Sequence, residues 1–239
     1  MREQNKNTGF IRQPWITNSI KKWGELIEVG AFNIASVNSI LNENLSLWEE
    51  NTSRQTAFRV HKDTKNIILY WSEDNIDHIN GEIQVHKENC ILFEDVIADV
   101  KNALQIIFSF KNMKIYKMTL VGLPSGGIIL PHIDTAIPLR CVHRIHIPVV
   151  THPDIKVCIA NKEFHLEAGK IYNFNNTLLH SVKNPSDIMR IHIIVDVQDE
   201  DIYVERMNQI ISYIPQQAKA KMKQKKGSGT TVIDDIYRG

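Results

Sequence analysis

The rhythm of apolar and polar positions changes near residue 57. Before it the spacing is helical. In ITNSIKKWGELIEVG, Ile16, Ile20, Trp23 and Ile27 recur every three or four residues, and the run stops at Gly30, as an amphipathic helix would. NIASVNSILNENLSLWEENTSR repeats the pattern with Val37, Ile40, Leu41, Leu45 and Trp48. Residues 1–56 are therefore expected to form a helical segment whose apolar stripes pack on a sheet.

Beyond residue 57 the apolar runs shorten. NIILYW (66–71) is the first clear strand, and IADVKNALQIIFSF (97–110) reads as an intervening helix. KIYKMTLV, GIIL, CVHRIHIPVV, IKVCIA, EFHLEAG, KIYNFN, HSVKN and MRIHIIVDV follow as strands, with Gly, Pro, Asn and Asp turn signals between them. Such even spacing predicts an all-β sandwich or barrel over residues 57–198, not βαβ units. Residues 199–214 read as a final helix. The Pro-broken stretch 215–239, with Lys219, Lys221, Lys223, Lys225 and Lys226, reads as a flexible tail.

Composition narrows the partners. A chain of 239 residues with 43% hydrophobic content is expected to hold one principal domain with a sizeable core. The formal net charge of +1 names no partner. The lysine-rich tail is the one hint of nucleic acid, which is not expected because no face interleaves basic and aromatic residues. No apolar run approaches the roughly 20 residues that span a bilayer, and MREQNKNTGF has no apolar leader core. Cys90, Cys141 and Cys158 form no C-x-x-C pair and are expected to be reduced thiols in a cytoplasmic protein.

Three His-x-Asp triplets remain: His61-Lys62-Asp63, His132-Ile133-Asp134 and His152-Pro153-Asp154. On a strand, residues i and i+2 project to one side, so such a triplet can supply two arms of a two-His, one-carboxylate Fe(II) site. Pro153 marks a turn between IPVV and IKVCIA, and His61 sits in a turn between AFRV and TKN. His132-Ile133-Asp134 alone extends a glycine-flanked apolar run, GGIILP. A third ligand must come from His143, His146, His152, His165, His180 or His192. The open positions of such a metal suit a chelating oxo-acid, whose far carboxylate calls for an arginine fork. Among these histidines, only His180 is followed ten positions later by an arginine, Arg190, across a turn at KNPSD. LHSV and MRIHIIV can then lie antiparallel, with both side chains facing inward.

LPSGGIILPHID, RIHIPV, GKIYNFNNTLLHSVKN and MRIHIIVDV, in that order, resemble the aspartyl/asparaginyl β-hydroxylase family of Fe(II)- and 2-oxoglutarate-dependent dioxygenases. The resemblance is clear over residues 115–197 and looser from residue 57. It implies a double-stranded β-helix (jelly roll, cupin-like) with flanking helices. It implies that His132, Asp134 and His180 hold Fe(II), that Arg190 binds the distal carboxylate of 2-oxoglutarate, and that Arg144 and His146 line the same pocket. With O2, the implied reaction is hydroxylation of an unactivated C–H bond, of an Asp or Asn residue in a peptide or protein. The family's animal members carry a glycine where this chain has Asp134, so the protein substrate need not transfer. A free amino acid such as proline, or a peptide natural-product precursor, is the alternative, and a non-catalytic cupin-like binding protein is a reading of another class. The loops 71–82 and 133–141, including Arg140, are where substrate contacts are expected. His192 shares the strand face of Arg190. His143, His152 and His165 are expected to be structural or exposed, while His61, His78 and His86 lie too far along the chain to assign.

Overall fold

Strand β11 (Arg190–Asp199) sets the architecture by its strict alternation. Ile191, Ile193, Val195 and Val197 turn to one face and join Val37, Leu41, Val96, Val100 and Leu104 from the helices in the larger core. Arg190, His192 and Asp196 turn to the other face and are each buried to 2% exposure or less. One face is thus built to bury hydrocarbon, and the other carries polar chemistry into the interior. The computed structural model describes residues 24–51, 59–72 and 83–214.

Among the described residues, all strands pair antiparallel in two sheets. The larger runs β1 (Leu26–Ala31), β9 (Lys170–Phe174), β6 (His143–Val150), β11, β4 (Met113–Leu123), β2 (Lys65–Ser72) and β3 (Ile83–Val85). The smaller runs β5 (Ile128–His132), β10 (His180–Lys183), β7 (Lys156–Ile159) and β8 (Lys162–Phe164). The two sheets form the expected jelly roll. Leu123, Ile129, Val157, Ile159, Phe174 and Val182 make a second core between them. Helices α1 (Ala35–Glu43) and α3 (Glu94–Phe108) cover the outer face of the large sheet. Helix α5 (Glu200–Ser212) starts at Asp199, whose carboxylate accepts from Asp201 N at 3.1 Å as an N-cap, and it packs Tyr203 and Met207 on Tyr116.

Several local expectations are corrected. The helix expected to end at Gly30 is instead strand β1 from Leu26 onward, paired from Leu26↔Phe174 to Ala31↔Lys170. The unpaired edge of β9 overrides the helical spacing, because its backbone N–H and C=O groups need partners. Arg59–His61 forms a 3-10 turn, so His61 lies in a turn as expected. Strand β3 and the short helix α2 (Lys87–Leu92) were not anticipated, and EFHLEAG is strand only through Phe164. The loop 133–141 contains the short helix α4 (Ile137–Arg140). Ile16, Ile20, Trp23, His78, residues 73–82 and the lysine-rich tail lie outside the described residues. Among the described residues, no helix is long and apolar enough to cross a membrane.

Candidate metal centre

Two strands and one turn assemble the centre. His180 on β10 lies directly opposite His132 on β5, with ring centroids 4.2 Å apart. The PSGG turn launches β5. Gly126 takes φ +70°, and a Cβ on Gly127 would come within 2.9 Å of the Pro124 carbonyl oxygen, so this reversal needs both glycines. Asn184, fully buried, ties that turn to the one preceding β11. Its Nδ2 donates to the carbonyls of Leu123, Pro124 and Ile188 at 2.8–3.0 Å. Its Oδ1 accepts from the backbone N and hydroxyl of Ser186 at 3.1 and 2.6 Å. One amide therefore fixes β5 and the start of β11, where Arg190 sits, relative to each other.

His132, Asp134 and His180 place one ligand atom each within 4.8 Å of one another. Nδ1 of His132 lies 2.8 Å from the Leu130 carbonyl, and Nδ1 of His180 lies 2.8 Å from the Leu178 carbonyl. A carbonyl only accepts, so each Nδ1 is the donor, and Nε2 is the nitrogen left to meet a metal. Nε2 of His132 is 3.7 Å from Oδ1 of Asp134. The other carboxylate oxygen, Oδ2, is held by Arg144 Nη1 and by Asn176 Nδ2 at 3.2 Å. Burial alone would raise the pKa of Asp134. Arg144, His180, His132 and Asn176 outweigh it and hold the carboxyl well below the usual range. Burial pushes His180 down to about 4, so its imidazole is neutral near pH 7. Two imidazoles and one carboxylate are a donor set that fits Fe(II).

Arg144 is itself forked onto Asp196, with Nε and Nη2 each 2.8 Å from a carboxylate oxygen. The register pairs Asp196 with Arg144 across β11 and β6. Further along the same face lies a buried cluster of one arginine and two histidines. Arg190 Nε and Nη2 lie 3.0 and 2.7 Å from the ring nitrogens of His192, and His192 Nδ1 is 3.4 Å from Nδ1 of His146. His146 stacks on Phe174 at 4.6 Å. Burial first, and then Arg190, drives His146 and His192 far below the ordinary imidazole range, so both are neutral. Burial also lowers Arg190, to about 9, which leaves it charged at neutral pH. Among the described residues, no carboxylate meets this guanidinium.

The family model described as "Aspartyl/Asparaginyl beta-hydroxylase" matches residues 32–200. The chain belongs to the aspartyl/asparaginyl β-hydroxylase family. Its fold is that of 2-oxoglutarate/Fe(II) oxygenases. A 2OG-Fe(II) oxygenase family oxidoreductase from Burkholderia pseudomallei is similar with TM-score 0.51 and 9% identity, covering 83% of this chain and 93% of its own. A prolyl hydroxylase from Trichoplax adhaerens, solved with a hypoxia inducible factor oxygen degradation domain peptide fragment, is similar with TM-score 0.50 and 13% identity. It covers 81% of this chain and 96% of its own. No curated protein matches the chain in sequence.

The remaining histidines of this β-hydroxylase family member divide clearly. His152 and Asp154 form an exposed turn, with Nδ1 and Oδ2 3.5 Å apart. His165 Nδ1 lies 3.2 Å from the Ile155 carbonyl beyond β8. His143 packs on Phe108 and Phe110 behind the large sheet and lies 3.0 Å from Asn173 Nδ2. Arg140 lines an open groove with His143, Asn173, Asn176 and Arg206. Of the residues that touch the centre, Asn176 and Asp196 were not singled out from the sequence, and His61 was weighed in its triplet without being given a role. The period of two in RIHIIVD already puts Asp196 on the face of Arg190. No sequence signal marks Asn176, and the His-x-Asp spelling that marks His61 does not show its contact with His132.

Proposed function

We propose that the protein is an Fe(II)- and 2-oxoglutarate-dependent hydroxylase acting on an Asp or Asn residue of a peptide or protein. The observation that carries the co-substrate assignment is Arg190. A charged guanidinium buried to 2% exposure, with no carboxylate beside it among the described residues, is costly unless an anion completes it. Bound there, a dicarboxylate places its far end on Arg190 and its oxo-acid end toward His132, Asp134 and His180. Family membership supports the Asp or Asn substrate.

In this reading His132 and His180 hold iron through Nε2, and Asp134 holds it through Oδ1. Bound Fe(II) with 2-oxoglutarate and O2 supplies oxidative decarboxylation to succinate and CO2, coupled to insertion of one oxygen atom into a C–H bond. The chain's own residues prepare the setting. The Leu130 and Leu178 carbonyls fix the imidazole tautomers. Arg144 and Asn176 occupy Oδ2 of Asp134, so that the carboxylate presents one oxygen. Neutral His146 and His192 accept or donate hydrogen bonds beside Arg190 without adding charge.

Anaerobic titration with Fe(II) and 2-oxoglutarate tests the reading. The expected result is a metal-to-ligand charge-transfer band in the wild type that is lost in His132→Ala. A wild type without the band sinks it. Succinate release across Asp- and Asn-containing peptides and free amino acids, proline included, then decides the substrate class.

A further inference from the structure

Among the described residues, the strand that carries His132 is an edge strand. In the small sheet β5 has β10 on one side and, among the described residues, no strand on the other. Its pairing is short and irregular: His180↔His132, Val182↔Ile129 and Lys183↔Ile128, with a register shift between His180 and Val182. Edge strands held on one side open easily, yet His132 sits at the last residue of this one. Something else must hold it if a metal site is to keep its geometry.

The turn around His61-Lys62-Asp63 lies against that free edge. Asp63 Oδ2 accepts the backbone N–H of Ile128, the first residue of β5, at 3.0 Å. The ring of His61 meets the ring of His132 edge-on, with centroids 5.1 Å apart and planes at 88°. His61 is 9% exposed and Thr64 fully buried. The turn is internally rigid: Thr64 donates to the His61 carbonyl from both its backbone N (2.9 Å) and its hydroxyl (2.8 Å). Lys65, the next residue, opens β2 in the large sheet, where Lys65 to Trp71 pair with β4. The turn therefore connects the large sheet directly to the open side of β5, at its first residue through Asp63 and at His132 through His61.

We propose that His61 and Asp63 are positioning residues for the metal centre: Asp63 pins the start of β5, and His61 buttresses the His132 ring at its end. The clamp rests on the reading of His132 as a metal ligand. It gives the His61-Lys62-Asp63 triplet a role that is not ligation, since the imidazole of His61 packs against a ligand and the carboxylate of Asp63 takes a backbone N–H. The alternative is a connection that matters to folding alone, and the two predict different measurements.

The test uses His61→Ala, His61→Phe and Asp63→Ala in the full chain. Fe(II) affinity is measured by chelator competition, thermal stability by calorimetry, and amide hydrogen exchange along β5 in the metal-free protein. His61→Ala is expected to weaken Fe(II) binding about tenfold, the low end for partners that orient a ligand. His61→Phe, which keeps an edge-on ring, is expected to restore the affinity to within about twofold of wild type. Asp63→Ala is expected to weaken Fe(II) binding and to speed exchange of the Ile128 amide by about tenfold. Variants that lose thermal stability but bind Fe(II) as wild type does would overturn the proposal and leave a folding role only. Should the wild type take up no Fe(II), the functional reading fails, and exchange in the metal-free protein still decides the clamp. Unchanged protection of β5 in both His61→Ala and Asp63→Ala overturns it.

Discussion

Asp134 and Arg144 form a buried ion pair, and the opposite edge of the same guanidinium is forked onto Asp196. One cation thus serves two carboxylates whose side chains are 10% and 2% exposed. Removing it leaves two buried anions near each other. Arg144→Gln is expected to destabilise the metal-free protein by about 3 kcal/mol, the usual loss when one partner of a buried pair is removed. Adding Asp196→Asn to Arg144→Gln is expected to recover about 1–2 kcal/mol of that loss. Urea unfolding of the two single variants and the double variant measures both numbers, and a double variant no more stable than Arg144→Gln contradicts the shared-cation account.

Arg190 behaves differently, because its charge meets no fixed anion among the described residues. Arg190→Met removes a buried cation while roughly keeping its volume. The substitution is expected to weaken 2-oxoglutarate binding by at least about 100-fold, as losing a buried charged contact does. Fe(II) binding is expected to persist, and the metal-free melting temperature to be no lower than wild type, since no internal ion pair is broken. Co-substrate titration monitored by the charge-transfer band, together with calorimetry of the metal-free variant, checks the three outcomes.

The side chain of Asn184 donates to three carbonyls and accepts from Ser186 at the junction of two turns. Asn184→Ala strips these partners inside a fully buried site. A loss of about 2–3 kcal/mol is expected from the unsatisfied groups. Because the junction sets Arg190 against β5, co-substrate affinity should fall as well. Asn184→Asp keeps the acceptor but loses the amide donors, so it is expected to rescue neither property.

Stability should fall on mild acidification. Burial first, and then Arg206, pushes His143 down to about 4, against about 6.5 in an unfolded chain. Between those values the unfolded state binds a proton that the folded state refuses, so stability rises with pH across the window. It is complete above about pH 6.5, is lost as pH falls toward 4, and levels off below. His143→Phe, which keeps the packing on Phe108 and Phe110, is expected to flatten the slope by roughly 1.4 kcal/mol per pH unit. Denaturant titrations of metal-free protein between pH 4 and 7 measure it, and an unchanged slope contradicts the burial argument.

The alternation of RIHIIVD determined by itself that β11 would separate hydrocarbon from polar chemistry, and the two faces of that strand are the two environments observed. The β-rich jelly roll, the C-terminal helix and the convergence of His132, Asp134 and His180 were legible too. They rest on local period, turn residues and motif order, all of which a linear chain carries. The helical spacing through Ile27 misled, because whether Leu26–Ala31 is helix or strand depends on the open edge of β9, and an edge exists only once the sheet has formed. The same limit hid His61 and Asp63. As a triplet they were indistinguishable from any His-x-Asp in a turn, and their contact with β5 joins positions about 65 residues apart in sequence. Asn176 and the sharing of Arg144 between Asp134 and Asp196 were settled by cross-strand register and loop docking. Local pattern specifies what each segment can offer, and tertiary packing decides which offers meet.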